Sequence, residues 1–171
     1  RRPFGDLVDV ASIHAGTLAV ARREQSPAPV VSEAVEMFQA QADARGITLV
    51  TTLVPPATVA AFDPARLLQV LINLLSNAIK FTPRNGTVVV RVEAVDRELR
   101  FSVSDTGPGI PADKLEAIFD RYLQVRSGDR RGVGLGLYIS RCIVQGHGGR
   151  IWASNGAGGG ATVSFALPLK A

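Results

Sequence analysis

Residues 63–81 constrain this chain more than any other stretch. Asp63-Pro64 pairs an N-cap acid with a proline at the first helical position, a strong helix start. Thr82-Pro83 ends the pattern, because the residue before a proline is pushed out of helical conformation. Between these signals Leu67, Leu71, Leu74, Leu75 and Ala78 recur every three or four residues and form a core face. Arg66, Gln69, Asn73, Ser76, Asn77 and Lys80 make a second stripe at the same spacing, and Ile72 and Ile79 flank it. Isoleucines do not border an ordinary solvated face, so Asn73, Asn77 and Lys80 are expected to point together into a partly enclosed space. An amide oxygen there can ligate Mg²⁺, which prefers oxygen ligands and fills its shell with waters and phosphates. The Lys80 ammonium can meet a phosphate as a point charge. A polar helix edge with a few hydrogen bonds is the plainer alternative, and this helix alone leaves both open.

The rest of the chain supplies elements to enclose such a helix. With 171 residues and 46% apolar content it can build one domain with a modest appendage. Phe4, Leu7, Val8, Ala11 and Leu18 read as the last turns of an amphipathic helix ending near Gly16. Ser26-Pro27-Ala28-Pro29 breaks the chain, dividing an appendage, 1–26, from a domain, 27–171. A helix is expected over 30–45, with Val31, Ala34, Val35, Phe38 and Ala42 inward and Gly46 closing it. Strands are expected over 47–54, 87–95, 98–105, 150–154 and 161–167, with 87–105 a hairpin turning at Asp96-Arg97. Residues 111–131 read as a short helix and a mobile loop. A further helix over 135–146 should bury Leu135, Tyr138, Ile139, Cys142 and Ile143. Grouped strands with helices set between them predict an α/β fold: a two-layer sandwich whose mixed sheet is covered on one face by about three helices.

Two more places carry chemistry. In the strand ending at Asp105, that carboxylate falls on the face of Leu99, Phe101 and Val103, where a charge is costly unless paired. Gly107 and Gly109 follow and let the backbone approach a ligand closely. A purine amino group is a suitable donor for such an acid. The alternative is an acid that holds a turn or caps a helix. Residues 132–137 (GVGLGL) open the next helix, where backbone N–H groups and the helix dipole favour an anion. Neither a Rossmann fingerprint nor a Walker loop fits, since no strand runs into the glycines and no Gly-Lys-Ser/Thr follows.

Taken in order, these segments resemble the boxes of the histidine-kinase branch of the superfamily that includes DNA gyrase, the ninety-kilodalton heat-shock chaperone and mismatch-repair ATPases. Residues 71–81 (LINLLSNAIKF) resemble its N box, 105–110 (DTGPGI) its first glycine box and 118–122 (IFDRY) its F box. Residues 132–137 resemble its second glycine box, and 158–162 a third. The resemblance implies the Bergerat-type ATP-binding fold, with ATP and Mg²⁺ as cofactors. It implies Asn77 as metal ligand, Lys80 as phosphate contact and Asp105 as reader of the adenine amino group. Asn73 sits where hydrolysing relatives carry a glutamate base. An amide cannot take a proton from water, which fits transfer of phosphate rather than hydrolysis. Asn73 and Lys80 are thus the implied catalytic residues. Gly107, Gly109, Gly132, Gly134, Leu135, Gly136, Leu137 and Thr162 join Asn73, Asn77, Lys80 and Asp105 around the nucleotide. Residues 111–131 correspond to the ATP lid, with Phe119 and Tyr122 packing on the body. Arg126, Arg130 and Arg131 either touch phosphates or stay in a solvated loop.

The resemblance also implies partners. Residues 1–26 correspond to the tail of a dimerisation and phosphoacceptor helix with its linker. The helix bearing the reactive histidine is expected to lie outside this chain. His14 is in the wrong helix for that role, and His147 should lie about 18 Å from the phosphate end of its own helix. The expected protein is a homodimeric cytoplasmic sensor histidine kinase that passes phosphate to a response regulator, with a monomer unable to phosphorylate itself expected for this piece. A nucleotide sensor without transfer, and a gyrase-type ATPase, are the competing classes. The second is expected to carry glutamate at position 73. A net charge of +4 with 6% aromatics and no coherent basic face argues against nucleic acid as a partner. One cysteine excludes an internal disulfide framework, and no apolar run reaches the roughly 18 residues a membrane span needs. The first residues lack the apolar stretch of a signal peptide.

Overall fold

The computed structural model describes residues 18–55, 57–121 and 135–169. Among the described residues three α-helices, α1 (Ala28–Ala44), α2 (Pro64–Phe81) and α3 (Gly136–Gly146), accompany seven strands. The strands are β1 (Arg23–Gln25), β2 (Thr48–Thr52), β3 (Ala60–Phe62), β4 (Thr87–Val95), β5 (Glu98–Asp105), β6 (Arg150–Asn155) and β7 (Ala161–Pro168). Five strands form one sheet in the order β2-β4-β5-β7-β6. The β2–β4 pair is parallel and the others antiparallel, so the sheet is mixed. This is the expected two-layer α/β sandwich with three helices. Among the described residues no helix is long and apolar enough to cross a membrane.

Local signals explain most of the elements. The Asp63 carboxylate accepts from the amides of Ala65 and Arg66 and starts α2, and α2 ends at Thr82. The β4–β5 hairpin turns through Asp96 and Arg97 at φ 48° and 65°, the paired positive values of a type I′ turn, which matches the right-handed strand twist. Val88, Val90 and Val92 alternate inward from β4, as do Leu99, Phe101 and Val103 from β5. Phe101 stacks on Phe165 at 4.6 Å, and the α2 face of Leu67, Leu71, Leu74, Leu75 and Ala78 completes the core.

Two local expectations need correction. Residues 111–121 form two 3₁₀ turns, Ala112–Lys114 and Ala117–Phe119, in place of a short helix. Neither turn has a side-chain cap, and burial of Ile118 and Phe119 anchors the second. The buried face of α3 is Ile139, Ser140, Ile143 and Val144, preceded by Leu135, while Tyr138 and Cys142 lie half-buried at its edge. The stripe is rotated because α3 packs on α2, and there Asn73 gives the Ser140 hydroxyl a partner. A strand that no sequence signal announced, β1, lies ahead of the proline break and pairs antiparallel with β3, Arg23 opposite Phe62. Ala21 N–H reinforces it by donating to Asp63 Oδ2 at 3.0 Å, and Arg22 by donating to the Gly146 carbonyl at 2.7 Å.

Candidate nucleotide site

The polar stripe of α2 is bordered by the first turn of α3 and by the loop after Asp105. Asn73, Asn77 and Lys80 are half-buried on it, and Ser76 is exposed. Asn73 Nδ2 donates to the Gly136 carbonyl at 3.1 Å and to Ser140 Oγ at 3.3 Å. One side chain thereby ties the middle of α2 to the first turn of α3. At the other border the loop after Asp105 reaches the C-terminal end of α2. A Cβ on Gly107 would lie 2.6 Å from the Phe81 carbonyl oxygen, so this close approach requires glycine. Lys80 Nζ sits 5.2 Å from the centre of the Phe81 ring. Asn77 lies on α2 one turn from both Asn73 and Lys80, and its side chain makes no hydrogen bond to another described residue.

Asp105 ends β5 half-buried. Its Oδ1 accepts from Gly107 N–H at 2.9 Å and Ala161 N–H at 3.2 Å. Its Oδ2 has no hydrogen bond to a described residue. The costly carboxylate at this strand end is therefore stabilised by two amides, with one oxygen left over. Thr162, on β7 beside Ala161, shares a hydroxyl hydrogen bond of 2.8 Å with Ser104, so in this geometry it braces the strand that carries Asp105. Leu135 is buried as the residue leading into α3, and Leu137 is half-buried in its first turn. Gly132, Gly134, Tyr122, Arg126, Arg130, Arg131 and His14 lie outside the described residues.

Sequence reasoning missed several supports. Ser140 was not singled out in the sequence, yet its hydroxyl lies 3.3 Å from Asn73 Nδ2. Arg45 read as the end of α1, yet its guanidinium donates to the Ile79 carbonyl and, at 2.6 Å, to the Thr82 carbonyl, capping the helix that carries Lys80. Asn155 was not singled out either, yet its amide bonds both backbone groups of Ile110. The only signals available were a polar residue within an apolar period and an Asn beside a Gly. His147 is 3% exposed, with Nδ1 bonded to the Ile143 carbonyl at 2.8 Å and Nε2 accepting from Asp63 N–H at 3.0 Å. It joins the end of α3 to the start of α2 and lies away from the stripe.

A mixed sheet with three helices, one of whose polar faces is bordered by the start of α3 and by a loop that requires glycine, defines an α/β sandwich with a candidate ligand face. The histidine kinase-, DNA gyrase B- and HSP90-like ATPase family matches residues 62–171, and the chain belongs to it. Its relatives include sensor kinases. It is 36% identical over 162 residues to the adaptive-response sensory kinase SasA of Synechococcus elongatus, across 93% of this chain and 42% of SasA. The catalytic domain of histidine kinase ThkA superimposes with a TM-score of 0.79 at 31% identity, covering 87% of this chain and 96% of that domain. ThkA in complex with the response regulator TrrA gives 0.78 at 28% identity, over 96% of this chain and 47% of that one. Full-length ShkA in complex with AMPPNP gives 0.85 at 30% identity, over 96% of this chain and 35% of ShkA. The chain is a histidine-kinase ATPase domain, and it spans less than half the length of SasA.

Proposed function

We propose that this chain binds Mg-ATP on the polar stripe of α2 and that the whole protein transfers the γ-phosphate to a histidine. One observation carries the reading: the Asn73–Asn77–Lys80 stripe is closed on one side by the start of α3, through Asn73 and Gly136, and on the other by Gly107 packed on Phe81. The 105–110 loop then holds the base, with Asp105 Oδ2 accepting from the adenine amino group and Gly107 and Gly109 keeping the backbone low. Lys80 meets the phosphates. The first turn of α3, with Gly136 and Leu137, faces them in this reading, Leu135 leads into it, and Gly132 and Gly134 join the phosphate-binding set by resemblance alone. Asn77 suits a cation because its amide has no competing partner among the described residues. When bound there, Mg²⁺ supplies neutralisation of phosphate charge. Asn73 cannot act as a base toward water, and its amide nitrogen is committed to α3. It therefore positions the start of α3 and leaves ATP for transfer.

In this reading residues 1–26 are the tail and linker of a dimerisation and phosphoacceptor domain, and 27–171 are the catalytic domain. The whole protein is a cytoplasmic homodimer that relays phosphate to a response-regulator aspartate. The ThkA–TrrA complex supports that partner class by similarity. The test is Asp105→Asn, followed by calorimetry with ATP. The variant loses a charged hydrogen bond and should bind about 10- to 100-fold more weakly, the equivalent of about 1.5–3 kcal/mol. Unchanged affinity in a folded variant removes Asp105 from the site. Adding a separate phosphoacceptor domain with γ-labelled ATP then separates transfer from mere nucleotide sensing.

A further inference from the structure

The 105–110 loop is held at both ends by one strand pair. At its start Asp105 Oδ1 accepts from Ala161 N–H, the first residue of β7. At its end Ile110 N–H donates to Asn155 Oδ1 at 2.8 Å, and Asn155 Nδ2 donates back to the Ile110 carbonyl at 2.6 Å. Asn155 is the last residue of β6 and stands opposite Ala161. Thr106 provides a third attachment, its hydroxyl accepting from Thr87 N–H. Among the described residues no other hydrogen bond holds Pro108, Gly109 or Ile110. Gly109 adopts φ +80°, and a Cβ there would come within 3.0 Å of Asn155 Oδ1. The Asn155 amide thus replaces a strand partner for Ile110 and packs on the glycine that makes the bend. Beyond Ile110 the chain enters Pro111 and the 3₁₀ turn Ala112–Lys114.

We propose that Asn155 is a positioning residue for nucleotide binding, clamping the far end of the 105–110 loop in the shape that receives the base. This rests on the proposed site, in which Asp105 and the two glycines face adenine. The clamp lies in solvent, so its loss should move global stability little, because water takes over its hydrogen bonds. Binding is affected differently. If the loop spends only part of its time in the receptive shape, apparent affinity falls by that fraction.

The experiment uses the full chain and measures ATP and ADP affinity for wild type, Asn155→Ala and Asn155→Asp, with melting temperature and amide exchange at Ile110. Asn155→Ala should raise both dissociation constants on the order of ten-fold, by the same factor for each ligand. Melting should shift by no more than a few degrees, with faster exchange at Ile110. Asn155→Asp keeps the shape and the acceptor but sets a carboxylate oxygen against the Ile110 carbonyl. It should lose affinity as the alanine variant does, whereas a merely space-filling role would leave it at wild-type affinity. A charge effect is recognised separately, since it grows from ADP to ATP and fades with salt. Wild-type affinity in either variant overturns the inference alone, as does an affinity loss that only tracks a large fall in melting temperature. A wild-type chain that binds no adenine nucleotide overturns the site reading and this inference with it.

Discussion

Lowering the pH should weaken this fold through His147, and the hydrogen bonds around the ring dictate how. Nδ1 lies against the Ile143 carbonyl and so must carry a proton, while Nε2 accepts from Asp63 N–H. The ring is therefore the neutral Nδ1 tautomer, and protonating Nε2 would set two N–H groups face to face. Burial is the largest influence and pushes the His147 pKa down, and the nearby Arg22 charge adds to it. The Ile143 hydrogen bond and the Asp63 carboxylate pull the other way, and the net effect is a lowered value. An unfolded histidine titrates at about 6.5, so just below that pH the unfolded chain binds more protons than the folded one. Stability from this site is thus fully present above about pH 6.5 and declines as pH falls through the lowered folded value, by at most about 1.4 kcal/mol per pH unit. Asp63 acts in a separate window. Burial raises its pKa, but hydrogen bonds from Ala21, Arg66 and Ala65 outweigh this and hold it below the usual carboxylate value of 3.8. Its contribution is lost only in stronger acid. Urea midpoints measured from pH 8 to pH 5 should be flat and then fall for wild type. They should fall less for His147→Gln, which has an acceptor and a donor but no titration. His147→Ala leaves the Asp63 amide unpaired and opens a cavity, a loss of about 3 kcal/mol, or roughly 6–12 °C in melting temperature. A flat wild-type profile, or an equal slope in His147→Gln, would refute the assignment.

Three further outcomes are expected. Asn77→Ala should abolish the Mg²⁺ dependence of ATP affinity while sparing affinity for ATP without metal; a normal Mg²⁺ effect in titration calorimetry would show the metal assignment wrong. Phe101→Ala should cost about 3–5 kcal/mol in urea unfolding, because the ring is fully buried and stacked on Phe165; a loss under about 1 kcal/mol would mean the core repacks freely there. Incubation with γ-labelled ATP should leave no acid-labile label on His147, whose ring is 3% exposed and engaged at both nitrogens; label lost in His147→Gln would contradict the geometry.

Much of this molecule could be read along the chain. The Asp63-Pro64 start of α2, its two stripes, the Asp96-Arg97 turn and the alternation of β4 and β5 are local patterns, each legible because a helix or strand repeats every few residues. The candidate residues Asn73, Asn77, Lys80 and Asp105 were legible for a related reason: polar groups at those periods conflict with a core face, and glycines beside Asp105 mark a close backbone approach. What escaped reading was every contact whose partner lies far along the chain. Nothing near Arg23 signals a strand, because the pairing partner of β1 is at Ala60–Phe62. Ser140 became a buried residue on α3 because Asn73 met its hydroxyl. The Ile110 clamp joins residues 45 apart, and the His147 bridge to Asp63 joins residues 84 apart. Periodicity records which face of an element is apolar. It does not record which element will cover that face, nor which distant amide will satisfy a polar group once the two surfaces meet, and both are decided when burial makes an unpaired donor or acceptor costly.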